Sequence, residues 1–574
     1  MNGESRTLTY AACGELCLER FDCARFTWIG KNGKCYLKDF RAQLFKEKKS
    51  KSMWAGNCEE PPKPAKSVVA VVDGEDESES AEQGGPEIKS DQGTIKQTVP
   101  ANILFAVADD LTHVSAYGHT FLKTPNFDKI ANDGILFMQA HTPSSKCAPS
   151  RSTIITGRNP WQLGAAANNQ PYFPEDYKSV VEVLGNNGYH VGYTGKGWGP
   201  GEISGSRTSL TGTEYNQKMQ NPAHKPSSAV SPYDYTANFA AFLKKKPKNA
   251  PFFFWYGCKE PHRTYKKGTA ASQGKLPDSV DFMPAFWTDN FNVRSDILEY
   301  AVEAEYFDKH LGQILAVLER TLPKAEVDNT MIIATSDNAM PFPHYKGSPY
   351  HHATLMPLAI KWKGQLVSPG RRSNALISFA DFAPTFLAAA MIPQYNCGMQ
   401  KIQGKSFIDV LSAGKVDAAR SAQVDRILLT GRERNAVAHK DGQGYPSRSI
   451  LQGKYSYIFN FRPDNWPEGS KDTNYGEISA SPTKDAALRM KLTSENYRVL
   501  FAKRPQEELF DIEADPESMN NLASNADFAE VRKRMNALLF AELKVQGDPR
   551  AMSGANPNIF EEYPRVGGLM CSNC

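Results

Sequence analysis

The sequence predicts an α/β protein with a large, mostly parallel sheet flanked by helices, a smaller C-terminal α+β subdomain and a small disulfide-rich module at the N-terminus. Three observations predict this class. Apolar runs of strand length alternate with amphipathic stretches between residues 100 and 420, shorter strand patterns follow, and five cysteines fall within the first 58 residues. Strands that alternate with helices are typical of a parallel sheet covered on both faces.

Composition restricts the class of protein further. Of the 574 residues, 40% are hydrophobic and 23% are charged, which is typical of a soluble globular chain with more than one domain. The net charge of +4 is too small to indicate a nucleic-acid partner. We expect no membrane span either, because no apolar run approaches the roughly 18–20 residues that a span requires.

Residues 1–58 form the first predicted unit, which is defined by its cysteines. The five cysteines are Cys13, Cys17, Cys23, Cys35 and Cys58. A short cysteine-dense segment is typical of a disulfide framework in an oxidising compartment, such as the periplasm or the extracellular space. A zinc site is the alternative, but a CxxxC pair followed by gaps of five and eleven residues does not match the common zinc spacings.

This cysteine pattern resembles that of the PAN/apple modules, which are extracellular folds that bind carbohydrate or protein. The resemblance implies that Cys13 pairs with Cys35 and that Cys17 pairs with Cys23. Cys58 is then left without a partner. We therefore expect the natural chain to extend upstream of the first residue, and we expect that extension to hold the missing cysteine and a signal peptide.

Residues 59–99 are predicted to be a linker. Pro61-Pro62-Lys63-Pro64 opens the segment, and residues 73–87 are acidic, with serines and a Gly-Gly break. Such a composition cannot bury enough apolar surface to offset the entropy lost on ordering the chain. Val68–Val72 is the exception, since it could pair as a short edge strand.

Residues 100–420 carry the pattern of the main α/β domain. Ile103–Ala108, Phe252–Tyr256 and Met331–Thr335 are continuous apolar runs, as expected of strands that are buried on both faces. Amphipathic stretches between these runs, such as Ile297–Leu318, predict helices. This region should therefore form the main α/β domain, and the candidate catalytic motifs described below fall within it.

The pattern of residues 421–574 predicts a smaller subdomain that closes against the main α/β domain. Arg426–Thr430 and Tyr455–Asn460 read as short strands, and Ala529–Leu543 reads as a late helix. The chain ends in Cys571-Ser572-Asn573-Cys574. These two cysteines could form a disulfide, a metal clip or no ordered structure.

Polar residues end two of the apolar runs, at the place where α/β folds bind ligands. Asp109-Asp110 follows the first run, and Ser336-Asp337-Asn338 follows the third. Adjacent carboxylates at a buried strand end repel each other unless a cation lies between them. A solvated pair that caps a helix is the alternative for Asp-Asp alone. Three carboxylates and one amide oxygen are hard donors, which favour Ca²⁺ and also accept Mg²⁺.

A further motif, Cys147-Ala148-Pro149-Ser150-Arg151, precedes a predicted helix at Ser150–Gly157. Taken alone, such a cysteine is usually a buried small apolar residue, and Arg151 could be one half of a surface salt bridge. The motif resembles that of the type I sulfatases. In that family a formylglycine-generating enzyme oxidises the cysteine, and the hydrated aldehyde is the nucleophile. The resemblance implies that residue 147 becomes formylglycine.

The resemblance also implies a set of site residues. Asp109, Asp110, Asp337 and Asn338 match the ligands that bind calcium in that family, together with the modified residue 147. Calcium is therefore the expected cofactor, and magnesium is the alternative.

Further segments match the family in order along the chain. Lys196 and Lys346 match the two sulfate-binding lysines, and His262 matches the residue near the leaving-group oxygen. Arg151 would stabilise the diol, since a guanidinium does not titrate. The resemblance covers roughly residues 100–548, is closest to the heparan N-sulfatase-like branch and implies an alkaline-phosphatase-like sulfatase fold.

The activity implied by the resemblance is hydrolysis of a sulfate ester or an N-sulfate on a sulfated polysaccharide or oligosaccharide. Asp337 would accept a proton as general base, and His262 would donate one to the leaving alcohol or amine. Lys196 and Lys346 would hold the sulfate oxygens as charge shifts during the reaction.

Two departures from the family pattern concern histidines. Trp198 stands where many sulfatases have the histidine that helps to free the sulfate. Either His141, His190 or His344 substitutes for it, or the step proceeds differently. His351-His352 also departs from the family pattern, and these two residues either shape the pocket or are exposed.

Two other functions are compatible with the motifs. One is a phosphodiester or phosphonate hydrolase with the same nucleophile. The other is a catalytically inactive, glycan-binding adhesion protein, which the complete metal-ligand set argues against. The choice of sugar, of ring position and of exo or endo action depends on pocket loops at residues 199–235, 263–295 and 460–490.

Overall fold

The computed structural model describes residues 97–412 except 367, residues 426–566 except 437, 440 and 441, and the backbone of four short strands nearer the N-terminus. The chain divides into two compact units, residues 1–88 and residues 89–574. All the predicted site residues belong to the second unit. The three boundaries between the four segments that we expect from the sequence remain predictions.

The first unit contains an antiparallel sheet. Its strands are β1 (Ser5–Thr7), β2 (Cys23–Ile29), β3 (Lys34–Asp39) and β4 (Met53–Asn57). They are arranged in the order β1-β3-β2-β4. The predicted disulfides, the PAN/apple identity, the linker strand at Val68–Val72 and the role of the C-terminal cysteines lie outside what the structure describes.

The second unit is built on a large mixed sheet. The first ten strands described in this unit are β5 (Asn102–Ala108), β6 (Ile135–His141), β7 (Tyr172–Phe173), β8 (His190–Gly195), β9 (Glu202–Ile203), β10 (Thr213–Glu214), β11 (Phe252–Gly257), β12 (Thr330–Ser336), β13 (Leu358–Lys361) and β14 (Arg371–Ser378). In the described part of the unit, β7 pairs with β9 and the other eight form one sheet in the order β10-β8-β11-β5-β12-β13-β6-β14.

Neighbouring strands of this sheet are parallel except where β13 is involved. The sheet is therefore mostly parallel, as predicted, with one antiparallel strand. Every residue of β5, β11 and β12 is buried. Burial on both faces explains why these strands read as continuous apolar runs rather than as an alternating pattern.

Helices flank the large sheet. They are α1 (Pro125–Asn132), α2 (Cys147–Thr156), α3 (Val180–Asn186), α4 (Tyr235–Lys245), α5 (Thr269–Ser272), α6 (Phe291–Thr321), α7 (Lys324–Asp328), α8 (His351–Thr354), α9 (Phe382–Ala389) and α10 (Ile408–Ser412). The helix α6 begins six residues earlier than predicted, because Asn290 caps it by accepting hydrogen bonds from the amides of Asn292 and Val293. Within the described residues, no helix combines the length and the apolar character that crossing a membrane requires.

Short 3₁₀ turns connect several of these elements. Those in the described residues include Ser115–Tyr117, Pro160–Gln162, Gly164–Ala167, Pro222–His224, Pro277–Ser279, Phe379–Asp381, Gln394–Asn396, Lys471–Thr473 and Ala526–Phe528.

A second, antiparallel sheet follows toward the C-terminus. Its strands are β15 (Leu428–Arg432), β16 (Ser447–Gln452), β17 (Tyr455–Asn460) and β18 (Glu507–Asp511), in that order. The accompanying helices are α11 (Pro482–Leu488), α12 (Glu495–Phe501), α13 (Ala529–Val545) and α14 (Ile559–Glu562). Met535, Leu539 and Leu543 of α13 recur every four residues and are buried in one cluster with residues of this sheet. The α+β character predicted for this region is therefore present.

Candidate active site

Four neighbouring parallel strands bring the predicted site residues to one edge of the large sheet. The strands β8, β11, β5 and β12 lie side by side and run in the same direction. The carboxyl ends of parallel strands meet at the same edge, which is where α/β folds bind ligands. Lys196 directly follows β8, Asp109-Asp110 follows β5 and Asp337-Asn338 follows β12. The loop after β11 carries His262.

The register between β5 and β12 places the acidic residues together. Ser336 is paired with Ala108, so Asp337 and Asp109 are the next residues on adjacent strands. The amide of Asp110 donates to Oδ1 of Asp337 at 3.2 Å. One oxygen from each of the three carboxylates lies within 4.8 Å of the others, and all three side chains are buried.

Asn338 completes a donor set that suits a hard cation. Its Nδ2 donates to Oδ1 of Asp110 at 2.5 Å, whereas its Oδ1 is buried and has no hydrogen-bond partner among the described residues. A buried polar atom without a partner costs free energy. A divalent cation would satisfy this oxygen and would relieve repulsion among the three carboxylates. The residues therefore fit calcium or magnesium.

Cys147 is the first residue of α2, so this helix begins three residues earlier than predicted. Pro149 is compatible with this start, because the first turn of a helix needs no intrahelical donor. The thiol of Cys147 lies 3.5 Å from Oδ1 of Asp109. Burial and the charge of Asp109 raise the pKa of Cys147 to about 11. The unmodified thiol is then protonated at neutral pH and is a poor nucleophile.

Arg151 lies in the same helix and is fully buried, which excludes the surface salt bridge considered above. Its Nε donates to Oδ2 of Asp337 at 2.6 Å, and its Nη1 donates to the carbonyl oxygens of Lys196 and Gly197. Its Nη2 lies 3.7 Å from Oδ1 of Asp109 and has no hydrogen-bond partner in the described part of the chain. Burial raises the pKa of Asp337 to about 6 in spite of the opposing charge of Arg151.

Two lysines contact the adjacent carboxylates. The Nζ of Lys196 lies 2.6 Å from Oδ2 of Asp109, and the Nζ of Lys346 lies 2.7 Å from Oδ2 of Asp110. Burial disfavours the charged form of both amines, but the carboxylates outweigh it and raise both pKa values. Burial alone would raise the pKa of Asp109, but Lys196 and the other nearby cations lower it well below its usual range. The two amines and the Asp109 carboxylate therefore remain charged.

His262 presents one ring nitrogen to the site. Its Nδ1 lies 2.5 Å from the carbonyl oxygen of Arg263 and so donates to it, while Nε2 lies 3.9 Å from Oδ2 of Asp110. Arg263 holds the loop through two hydrogen bonds to Asp296. Burial and the charge of Lys346 lower the pKa of His262. The neutral ring has an acceptor at Nε2, so proton donation from this atom requires the imidazolium form.

A cavity of about 600 Å³ opens over these groups. Five of the predicted residues line it, and several residues that we did not predict line it as well. The latter include Lys146, Asn169, Gln170, Lys225, Ser231, Lys259, Glu260 and Glu303. Of the three predicted pocket loops, residues 199–235 and 263–295 contribute, but none of the described residues between 460 and 490 does. Lys146 directly precedes the Cys147 motif in the sequence, but it was not among the predicted site residues.

One wall of the cavity is acidic. Glu260 accepts hydrogen bonds from the amide of Ser231, the hydroxyl of Tyr235 and the thiol of Cys258. Burial and the charge of Glu260 raise the pKa of Glu303 well above its usual range. This shift favours the protonated form of Glu303, which can donate a hydrogen bond to a ligand.

Trp198 does not line the cavity, although it follows Lys196 closely. Its Nε1 donates to Oγ of Ser152 at 2.9 Å. Its ring packs edge-on against Phe173 at 5.1 Å between centroids. This residue therefore contacts α2 through Ser152 and does not contribute to the cavity lining.

The histidines considered as substitutes also lie away from the described cavity lining. His190 begins β8, at the strand end remote from the site. His141 packs against His351, and His344 packs against His352, with ring centroids 5.0 and 5.1 Å apart. His351 and His352 thus neither shape this cavity nor stand exposed, because both are partly buried in packing with other rings.

Comparisons with known proteins bear on the class of enzyme. The chain is 28% identical over 464 residues to an ulvan-active sulfatase of Formosa agariphila, covering 78% of this chain and 80% of that protein. It is 24% identical over 466 residues to the N-sulphoglucosamine sulphohydrolase of Homo sapiens, covering 75% and 88% of the two chains.

A solved structure shares the fold. It shows a protein in complex with its substrate D-glucosamine-2-N,6-O-disulfate, with a TM-score of 0.54 and 20% identity, covering 78% of this chain and 98% of that one. The fold is therefore the alkaline-phosphatase-like sulfatase fold. The two relatives above and the family match define the chain as a sulfuric ester hydrolase. The chain belongs to the sulfatase family, whose model matches residues 101–392, more than half of the 574 residues.

Proposed function

We propose that the protein hydrolyses sulfate groups, as O-sulfate esters or as N-sulfates, on a sulfated polysaccharide or oligosaccharide. The observation that carries the proposal is a cluster of three buried carboxylates at the strand ends, beside a cavity that Asp109, two lysines and residue 147 line. The relatives that are named for ulvan and for N-sulphoglucosamine support a glycan as the substrate. The resemblance to the heparan N-sulfatase-like branch supports an amino sugar.

Residue 147 carries the nucleophile in this proposal. Conversion to formylglycine by a maturation enzyme would supply a hydrated aldehyde whose first hydroxyl attacks sulfur. Its second hydroxyl would then lose its proton and expel the sulfate, which restores the aldehyde. The raised pKa of the Cys147 thiol supports the modification, because the unmodified side chain would be a poor nucleophile. The start of α2 at this residue directs backbone amides toward any negative charge that develops there.

Asp109, Asp110, Asp337 and Asn338 would hold the metal ion, calcium first and magnesium as the alternative. A bound divalent ion supplies Lewis-acid stabilisation and lowers the pKa of a hydroxyl that it binds. The unpartnered Oδ1 of Asn338 supports this assignment independently of the carboxylates.

The surrounding side chains would perform the remaining tasks. Lys196 and Lys346 would bind the sulfate oxygens while charge shifts during the reaction. Asp337 would accept the proton of the attacking hydroxyl, and Arg151 would keep its carboxylate oriented. His262, once protonated, would donate from Nε2 to the leaving alcohol or amine, because Nδ1 is already occupied by the carbonyl oxygen of Arg263.

We infer an extracellular or periplasmic setting from the cysteines of residues 1–58, since such a framework persists in oxidising compartments. If this segment is a PAN/apple-like module that binds glycan, it would raise the local concentration of substrate at the catalytic unit.

Sulfate release tests the proposal directly. The protein, co-expressed with a formylglycine-generating enzyme, is incubated with ulvan, with N-sulfated heparan fragments and with phosphodiester and phosphonate esters. We expect sulfate, measured by ion chromatography, from at least one glycan. The peptide that contains residue 147 should show the mass of formylglycine. The Cys147→Ala variant should be inactive, and activity in that variant, or an unmodified thiol in an active preparation, would contradict the mechanism.

A further inference from the structure

Lys146 is a buried cation without an ionic partner. Its side chain lines the cavity beside Cys147, and only 4% of the residue is exposed. Among the described residues it forms no side-chain hydrogen bond and no ion pair within 4 Å. Burial and the charge of Lys346 lower the pKa of its ammonium group, and the carboxylates that oppose this shift, Glu477 and Asp110, form no ion pair with it.

The other buried cations around the site differ from Lys146 in this respect. Arg151 is paired with Asp337, Lys196 with Asp109 and Lys346 with Asp110. Their charges are balanced by the carboxylates at the strand ends. Lys146 adds a positive charge that no neighbouring carboxylate neutralises through direct contact.

An unpaired buried charge is unfavourable, and proteins normally pair such groups or bind an ion to them. The location of Lys146 adds to this effect. It is the N-cap residue of α2, a ten-residue helix, and its side chain makes no capping hydrogen bond. The amides of the first turn and the ammonium group therefore both favour an anion at this point of the cavity.

A second unsatisfied group lies in the same cavity. Asn169 lines it, and its buried Oδ1 has no hydrogen-bond partner in the described part of the chain. A cavity that offers both an acceptor and a cation suits a ligand that carries both an acidic group and hydroxyl or amine donors. Sulfated sugars have this combination.

We propose that Lys146 binds an anionic group of the substrate and is a positioning residue that the family motif does not include. The inference rests on the proposed function, because it takes a sulfated sugar as the ligand. The anionic group is either the sulfate that is removed or a second acidic group on the same sugar. The ammonium would donate a charge-assisted hydrogen bond to an oxygen of that group.

The test compares the wild-type protein with K146M and K146R on monosaccharides that carry one sulfate or two acidic groups. We expect K146M to lower kcat/KM by roughly 10- to 100-fold, as for the loss of one hydrogen bond between charged groups. K146R should restore part of the loss. A loss on both substrates assigns Lys146 to the sulfate that is removed, whereas a loss on the doubly acidic sugar alone assigns it to a second group.

Two controls separate binding from folding and maturation. Activities are normalised to the fraction of residue 147 that is formylglycine by mass, since Lys146 adjoins the modified residue. Lys484 is a matched buried lysine outside the cavity, with Nζ donating to the carbonyl oxygens of Tyr475 and Ile478. K484M should lower Tm and leave kcat/KM unchanged. K146M should not lower Tm, because it removes an unpaired buried charge.

Binding of inorganic sulfate gives a readout that does not need turnover. Sulfate should raise the Tm of the wild-type protein more than that of K146M. Equal kinetic constants and equal sulfate stabilisation in the two proteins would overturn the role of Lys146. Absence of sulfate release from the wild-type protein would instead contradict the proposed function, while the sulfate titration would still decide whether Lys146 binds an anion.

Discussion

The Nε atom of Arg151 lies 2.6 Å from Oδ2 of Asp337, and neither side chain is exposed. The same helix contributes Cys147, and Ser150 donates to the carbonyl oxygen of Asp337 at 2.5 Å. These contacts join the helix that carries the candidate nucleophile to the strand end that carries two of the candidate metal ligands. The spacing between the two halves of the site therefore depends on one buried ion pair and one hydrogen bond.

Loss of this ion pair should destabilise the protein strongly. Arg151→Met leaves the Asp337 carboxylate buried without its partner, which costs about 3–5 kcal/mol of unfolding free energy. Urea denaturation measures the change. The control is Arg294→Met, whose ion pair with Asp289 is partly exposed and should contribute less than about 1 kcal/mol. Equal losses in the two variants would contradict the importance assigned to burial.

Removal of divalent ions should lower both Tm and activity. At a calcium concentration of 100 times Kd, binding adds about 2.7 kcal/mol to the free energy of unfolding. Thermal unfolding after chelation and during calcium back-titration measures the effect. Asn338→Ala should weaken the response, because it removes the unpartnered oxygen, whereas the exposed Asn374→Ala should not. A Tm that is insensitive to calcium and magnesium in the wild-type protein would refute the metal assignment.

We expect Trp198 to stabilise the fold and to take no part in the reaction. Trp198→Phe keeps the ring that packs on Phe173 and removes the hydrogen bond to Ser152, which costs about 1 kcal/mol. Trp198→Ala also removes the ring and should cost about 3–5 kcal/mol. Unfolding free energies and kcat, measured together, check this. A large fall in kcat for Trp198→Phe at unchanged stability would show instead that the indole takes part in the reaction.

Acid should destabilise the protein through histidines that are partly buried. Burial lowers the pKa of His352 to about 4, and its Nε2 donates to the carbonyl oxygen of His344 at 3.0 Å. An unfolded histidine has a pKa of about 6.5, so unfolding takes up a proton at pH 5. The contribution of His352 to the free energy of unfolding is therefore fully present above about pH 6.5 and is lost as the pH falls toward 4. At pH 5 the loss is about 2 kcal/mol.

His352→Gln removes this titration and keeps a donor toward His344. We expect its Tm to fall less than that of the wild-type protein between pH 7 and pH 5. The exposed His224→Gln should retain the wild-type pH dependence. If His352→Gln follows the wild-type curve as well, His352 does not contribute to the acid sensitivity.

Much of the fold and the candidate site could be predicted because the signals are local. Ile103–Ala108 and Met331–Thr335 are uninterrupted apolar runs, and Asp109 and Asp337 are the polar residues that follow them. A buried strand and the turn that ends it are formed by consecutive residues, so their pattern is visible in the sequence. The carboxyl ends of parallel strands share an edge, so these residues could be placed together before their distances were known.

Other features depend on segments that are distant in sequence. The antiparallel direction of β13, the packing of Trp198 on Phe173 and the burial of His351-His352 follow from which surfaces meet. No local pattern encodes these contacts, because each depends on the shape of the partner surface.

The sequence by itself determined the alternation of strands and helices, the polar strand ends and the motif around Cys147. Only the tertiary structure decided that Arg151 is paired in the interior while Lys146, five residues earlier, has no ionic partner among the described residues. The physical reason is that the energy of a charge depends on its burial and on the distance to its partner, and both are set by chain segments brought together in the folded protein.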